Sequence, residues 1–388
     1  MKKISKILIF ILFFSLFFAN FAFFNKINII AKAKEEQLTT AKAMAVMETS
    51  TGRLLYAKNQ DEKLPMASTT KIITAIVAIE NNLDLDRQIL IEKDVTGIEG
   101  TSIYLKPGEQ LSIKELLYGL MLRSGNDAAL AIAKATTGSV DTFIDLANNF
   151  CERVGAKNTR LTNPHGLHDN NHYTTAYDLA LISSCAMQNP EFAAIVSTKQ
   201  KIIDNEQNLS KKRILNNKNK LLKNMDYATG IKTGFTSKAG RCFVGSAKKD
   251  DMEIVCVLLN CNSMFEECQV LLEKGFTEYK MVQAVMPNEI IGEAQVEGAS
   301  KKSVKLTSKI GARVPLKVSE VDKIKIDYDY PKVLKAPIDT STSIGKFDIY
   351  TDKDLIFSGK IYIIENVESK GENFEFDIIK DFVHLDRK

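Results

Sequence analysis

Pro65-Met66-Ala67-Ser68-Thr69-Thr70-Lys71-Ile72-Ile73-Thr74-Ala75-Ile76 decides how this chain is read. Ile72, Ile73, Ala75, Ile76 and Ile79 form an apolar stripe at helical spacing, so residues 68–82 are expected to be a helix with that stripe in the core. Ser68 and Lys71, three apart, then share one face at its N-terminal end. If Lys71 is desolvated there, its charged form becomes costly, its pKa falls toward neutrality, and the amine can take the Ser68 proton. The positive potential of a helix start favours the oxyanion that results. An isolated Ser-x-x-Lys is common, and only its place at the head of a buried helix gives it weight.

The flanks of this segment alternate in period. Residues 34–40 read as a polar lead. Residues 41–47 and 53–57 read as strands joined by the turn Glu48-Thr49-Ser50-Thr51-Gly52. Ser112-Ile113-Lys114-Glu115 is a capping box that opens a helix to about Leu122, and a second helix covers 126–135 before Gly138. Residues 174–187 read as a further helix. Strands are expected over 229–233, 241–247 and 253–260, then a closing helix over 264–283. Strands at both ends and helices in the middle make an α+β domain over 34–283. From Ala284 onward, short alternating runs (303–306, 323–328, 346–350, 361–364) separated by Gly, Pro and Asp/Lys turns make 284–388 a small all-β domain.

Two more clusters fall on these elements. Ser124-Gly125-Asn126 lies between two helices, where Gly125 is expected to permit a turn that aims the side chains outward. Ser124 can relay a proton to a leaving amine, and Asn126 can hold a carbonyl; taken alone, both are ordinary turn and cap formers. Lys232-Thr233-Gly234 on a strand edge offers a cation, a hydroxyl and an unobstructed backbone, a set suited to a carboxylate-terminated substrate laid along the strand. It is the three together, in this order, that carry the argument.

Ser68-Thr-Thr-Lys71, Ser124-Gly-Asn126 and Lys232-Thr-Gly234 resemble the motif set of the low-molecular-mass penicillin-binding proteins, and within them the serine-type D-alanyl-D-alanine carboxypeptidases. Met66-Ala67 before the first motif, Leu122-Arg123 and Asp127-Ala128-Ala129 around the second, Asn163-Pro164-His165-Gly166-Leu167, and Gly230-Ile231 and Phe235-Thr236 around the third carry the same likeness. It spans about residues 38–283 and extends more loosely to the β domain. The resemblance implies a β-lactamase/transpeptidase-like α+β fold, an antiparallel sheet with a helical subdomain. It implies that Ser68 attacks the carbonyl between two D-alanines of a peptidoglycan stem peptide, with Lys71 as general base. Ser124 and Asn126 would assist proton transfer and positioning. Lys232, Thr233 and Gly234 would bind the terminal carboxylate, and the backbone N–H groups of Ser68 and Phe235 would form the oxyanion hole. D-alanine leaves, water hydrolyses the Ser68 ester, and penicillins trap it. No cofactor is implied.

The rival readings are a serine β-lactamase, which would turn penicillin over rapidly, a D-Ala-D-Ala endopeptidase or transpeptidase, and an inactive wall-binding or β-lactam-sensing protein. No clear counterpart of the glutamate that class A β-lactamases use on their deacylating water is legible. Intact Ser68, Lys71 and Lys232 argue against a decayed site.

Composition removes other classes. The formal charge of +4 comes from 52 basic and 48 acidic residues. Lys2, Lys3, Lys6, Lys26 and Lys32 all lie in the first 33 residues, which hold no acid, and the remainder carries 47 against 48, a net −1. A nucleic-acid partner has no electrostatic support. The lysine-headed apolar run Ile7 to Phe24, followed by Ala31-Lys32-Ala33, reads as a signal peptide over 1–33, with an uncleaved anchor as the alternative; either delivers the rest beyond the cytoplasmic membrane. The six cysteines include no Cys-x-x-Cys pair, and contexts such as Ile254-Val255-Cys256-Val257-Leu258 suggest buried free thiols over disulfides. His165, His168 and His172 cluster in sequence, but Pro164, Gly166, Asn170 and Asn171 break any helix that would align them, and no metal is expected. Phe374, Ile378, Phe382 and Leu385 at helical spacing read as a short helix packed on the β domain; as a membrane-surface helix it would be poor bait for anionic lipid because of Asp377, Asp381 and Asp386.

Overall fold

The computed structural model describes residues 38–82, 84–203, 212–352 and 354–370. The leader over 1–33 and the stretch from Phe374 to Leu385 lie outside them. Contacts divide the chain into two compact units that meet at Lys280/Met281.

The first unit is built on a five-stranded antiparallel sheet in the order β2-β1-β9-β8-β7. Its strands are β1 (Ala43–Glu48), β2 (Leu54–Lys58), β7 (Ala228–Thr236), β8 (Gly240–Lys249) and β9 (Met252–Leu259). The central strand β9 is buried at nearly every position, because both faces of the sheet are covered. Val255, Val257 and Leu259 join the helical core, together with Leu179, Ile182 and Ala186 of α5 (Ala176–Met187). The alternate residues face α8 (Met264–Glu278): an added Cβ on Gly275 would lie 2.7 Å from Ile254 Cδ1. This period-2 alternation with apolar residues on both faces explains why Ile254–Leu259 reads as an unbroken apolar run.

The helical part comprises α1 (Lys71–Glu80), α2 (Ile113–Arg123), α3 (Asn126–Thr137), α4 (Val140–Arg153) and α6 (Pro190–Ser197) around Phe143, Phe192 and the α1 isoleucines. Each isoleucine buried here contributes roughly 1.5–3 kcal/mol relative to exposure. The capping box at Ser112 forms as expected: Ser112 Oγ accepts from Glu115 N at 3.1 Å and Glu115 accepts from Ser112 N at 2.8 Å. Small hairpins β3 (Gln88–Leu90)–β4 (Gln110–Ser112) and β5 (Gln200–Ile203)–β6 (Arg213–Asn216) flank it, and a short α7 (Leu221–Asn224) precedes β7.

Two elements differ from the sequence expectation. The helix bearing Ser68 is not continuous: Ala67–Thr70 is a 3₁₀ turn, and the α-helix starts at Lys71. Ala67 sits in the left-handed region at φ 48°, which no α-helix accommodates. The closing helix stops at Glu278, and Tyr279–Val285 is strand β10. Extended Tyr279 is held there by its hydroxyl, which donates to Leu55 O at 3.2 Å, and by an edge-on contact with Tyr56.

The second unit holds β11 (Ile290–Glu297), β12 (Ser303–Thr307), β13 (Ala312–Lys317), β14 (Ile324–Asp329), β15 (Val333–Lys335), β16 (Gly345–Thr351) and β17 (Asp354–Ile363), arranged as a six-stranded sheet, β14-β16-β17-β12-β11-β15, and the pair β10-β13. Phe347, Ile349, Ile361, Leu306 and Val314 centre its own core. Among the described residues no helix is long and apolar enough to cross a membrane.

Candidate active site

Ser68 follows directly on the strained Ala67, a conformation that costs about 1–2 kcal/mol. Local hydrogen bonds hold it in place. Thr69 Oγ1 donates to Met66 O at 2.6 Å, and Thr70 Oγ1 donates to Ala67 O at 2.8 Å. Behind the turn, Gly166 (φ +85°) comes so close that a Cβ there would lie 2.0 Å from Ala67 O; only glycine fits both the dihedral and the gap. His172 completes the support. Thr162 N donates to His172 Nδ1 at 3.0 Å, so the ring proton resides on Nε2, which donates to Thr70 Oγ1 at 2.7 Å. Burial pushes the His172 pKa down to about 4, so the ring is neutral at pH 7.

Lys71 occupies the first position of α1 and is fully buried. Its Nζ lies 3.1 Å from Ser68 Oγ, 2.7 Å from Asn126 Oδ1 and 2.5 Å from His165 O. Burial, then the neighbouring Lys232 and Lys218, hold its pKa well below the ordinary lysine value, while Asp127 opposes them. His165 thus enters the site through its backbone carbonyl, which no side-chain reading reveals.

Ser124 and Asn126 stand at the α2–α3 junction, but the turn differs from the expectation. Ser124 itself carries the left-handed conformation (φ 66°), and Gly125 is extended-like at φ −61°. Glycine is needed at 125 for space, since a Cβ would lie 2.8 Å from Asp127 Oδ1 and 3.2 Å from Ile103. Both side chains are buried, not turned outward. Asn126 Nδ2 donates to Glu99 O at 2.7 Å, which fixes the amide so that its oxygen faces Lys71.

Lys232, Thr233 and Gly234 lie on β7, one of the two edge strands of the sheet. Lys232 is buried, and desolvation followed by Lys218 lowers its pKa to about 7. A Cβ on Gly234 would lie 3.0 Å from Ser68 N and 3.1 Å from Thr69 N, so the strand backbone presses on the turn that carries Ser68. Ser68, Ser124, Thr233, Gly234 and Phe235 all line one cavity of 410 Å³. The three separate motifs therefore meet around a single cleft. Sequence reasoning missed Thr101, Lys218, Arg241, Met264 and Phe265, which complete the wall. Among the described residues that line the cavity none is a carboxylate.

Residues 30–263 match the family described as D-alanyl-D-alanine carboxypeptidase, and residues 279–369 match the C-terminal domain of penicillin-binding protein 5. The chain belongs to the D-alanyl-D-alanine carboxypeptidase family. D-alanyl-D-alanine carboxypeptidase DacC of Escherichia coli (strain K12) is 31% identical over 360 residues, 89% of this chain and 88% of its own. DacF of Bacillus subtilis (strain 168) is 29% identical over 348 residues, covering 88% and 89%. Penicillin-binding protein 5 from Haemophilus influenzae superposes with a TM-score of 0.72 at 28% identity, over 85% of this chain and 98% of that one. The Streptomyces K15 DD-transpeptidase matches 62% of this chain and 98% of its own, with a TM-score of 0.58 at 30% identity. The fold is the penicillin-binding protein fold, a mixed catalytic unit followed by an all-β unit. The enzyme is a serine-type carboxypeptidase of a family that acts on peptidoglycan peptides and binds β-lactams in the extracytoplasmic wall.

Within this carboxypeptidase the His165 ring serves structure. His165 Nδ1 accepts from Leu167 N at 3.2 Å, and burial lowers its pKa to about 4. Among the described residues no group of three His, Cys, Asp or Glu side chains is placed to hold a metal. All six cysteines are free; five are buried and Cys185 is half-buried.

Proposed function

We propose that Ser68 is the nucleophile that cleaves the terminal D-Ala-D-Ala bond of peptidoglycan stem peptides. The observation that carries this is the 3.1 Å contact between Ser68 Oγ and the Nζ of a fully buried Lys71. Burial favours the neutral form of this amine, which is the form a base requires. Lys71 Nζ takes the Ser68 proton as Oγ bonds to the carbonyl carbon. The backbone N–H groups of Ser68 and Phe235 receive the oxyanion. The C–N bond then breaks, and the proton passes from Lys71, through Ser124, to the departing D-alanine nitrogen. Water attacks the Ser68 ester, gives its proton to the same base, and the C–Oγ bond breaks with the proton returned to Ser68. Lys232, Thr233 and Gly234 hold the terminal carboxylate, and Asn126 positions the substrate amide.

That no carboxylate stands among the described residues of the cavity wall supports slow hydrolysis of a penicillin ester, since none of those residues offers an additional carboxylate base for the water. We further infer that residues 1–33 are an export signal, in keeping with the extracytoplasmic family.

Mass spectrometry of the protein after penicillin treatment tests both. A single long-lived adduct on Ser68, absent from Ser68→Ala, is expected, along with a mature chain that begins at Lys34. Acylation that persists in Ser68→Ala refutes the nucleophile, and a mature chain that retains residues 1–33 refutes cleavage.

A further inference from the structure

Asp127 has no part in the reaction just described, yet it is fully buried one residue after Asn126. Its carboxylate accepts four hydrogen bonds: from Ser102 Oγ at 2.5 Å, Ile103 N at 3.1 Å, Leu105 N at 3.0 Å and Ala128 N at 2.9 Å. Three of these donors belong to one segment, Glu99–Leu105, which has no regular secondary structure. The same segment reaches the site twice more. Thr101 O accepts from Asn126 N at 2.7 Å, and Glu99 O accepts from Asn126 Nδ2 at 2.7 Å. Thr101 also lines the cavity beside Ser68 and Ser124. On its outer side, Arg213 of β6 donates to Ile103 O at 3.0 Å and pairs with Glu109 at 3.0 Å.

This geometry has a consequence for Asn126. A primary amide can be turned over with little steric change, and its orientation follows its partners. Here the Glu99 carbonyl takes the NH₂ side, leaving Oδ1 for Lys71. The segment that supplies Glu99 is anchored to α3 by the Asp127 carboxylate. We propose that Asp127 is a positioning residue of this carboxypeptidase: it anchors residues 99–105 so that Asn126 presents its oxygen to Lys71. The proposal rests on the reading of Lys71 as the base.

The charged and titratable groups that bear on Lys71 come from four directions. Lys232 on β7 and Lys218 ahead of α7 oppose its protonation, Asp127 on α3 favours it, and the His165 ring in the 162–167 loop is neutral. Removing the Asp127 charge therefore makes protonation of Lys71 harder. The acidic limb of the rate profile, where Lys71 gains its proton, has to move to lower pH. A role confined to holding the fold would not move it.

The test measures D-alanine release from an N-acylated D-alanyl-D-alanine peptide by the full chain across the pH range. Asp127→Asn strands the Leu105 or Ser102 contact and misplaces Asn126. Its kcat is expected to fall roughly 10- to 100-fold, with KM nearly unchanged and the acidic limb displaced to lower pH. Ser102→Ala keeps the charge but loses the 2.5 Å bond; a smaller fall in kcat with the limb in place is expected. Asp127→Asn with the limb unmoved, or with an effect confined to KM, overturns the proposal. If Asp127→Asn does not fold, Ser102→Ala with wild-type kcat overturns it. The underlying reading fails separately, and visibly, if Lys71→Ala retains both activity and the wild-type acidic limb.

Discussion

At the scale of single residues, the site is assembled from groups that the fold would rather not contain. Lys232 and Lys71 are fully enclosed amines, and Ala67 sits in a backbone region that alanine avoids. Each costs stability and each adjoins a residue of the cleft wall, Ala67 and Lys71 beside Ser68 and Lys232 beside Thr233, the pattern expected where function sets the residue. For Lys232 the cost can be measured. Its folded pKa of about 7 lies below its unfolded value, so between those two the unfolded chain binds more protons. Stability contributed by this group is therefore lowest below pH 7 and recovers as pH rises toward 10. Lys232→Met is expected to raise the melting temperature at pH 6, by the equivalent of more than about 1.4 kcal/mol, and to lose that advantage by pH 10. With Lys232 in its proposed role at the carboxylate, the same variant is expected to capture penicillin roughly 10- to 100-fold more slowly, for want of that charged hydrogen bond. Calorimetry at the two pH values, alongside acylation kinetics, checks both. Equal melting temperatures at pH 6 would mean that the lysine is not held at a cost.

Among the elements, what is legible in the sequence is what repeats. The apolar stripe of α1, the capping box at Ser112 and the unbroken apolar run of β9 each announce their element through side-chain chemistry. What is hidden is work done by the backbone. The His165 carbonyl on Lys71, the Glu99 carbonyl on Asn126 and the left-handed Ser124 belong to the chain's path, and any residue type supplies a carbonyl. Asp127 left a faint signal, an acid in the first turn of a helix, which is also an ordinary helix-stabilising placement. The histidine-bearing loop is the clearest case of a misleading pattern. His172 resembles a ligand in sequence and acts as a brace, passing a hydrogen bond through Thr70 to Ala67. That brace predicts acid sensitivity. The His172 pKa falls from the usual 6.5 to about 4 on folding, so its stabilising contribution is complete above pH 6.5 and is lost as pH drops through 4. Melting temperature is expected to decline between pH 6.5 and 4, and His172→Asn to flatten that decline while lowering stability at pH 7 by about 1–3 kcal/mol. An unchanged pH slope in His172→Asn would remove the loop as the source.

For the whole molecule, the question is how much of the chain the chemistry needs. The cavity is lined by residues between Ser68 and Phe265 only, all within the first unit. That unit has its own core of sheet and helices, and close to its end stands Tyr279, whose ring and hydroxyl are fixed to Tyr56 and Leu55. The Streptomyces K15 enzyme points the same way: 98% of its chain is accounted for by 62% of this one. The second unit, with a separate core around Phe347, shares no lining residue with the cleft. A chain that ends after Gln283 keeps Tyr279 and every residue of the cavity wall. It is expected to fold and to be acylated by penicillin at the same second-order rate as the full chain, as read by adduct formation over time. The same comparison on polymeric peptidoglycan addresses the β unit, because a small soluble substrate does not test presentation of the cleft to a large one. A drop in the rate with penicillin would show that the β unit shapes the cleft itself, and the two units would then have to be treated as one catalytic body.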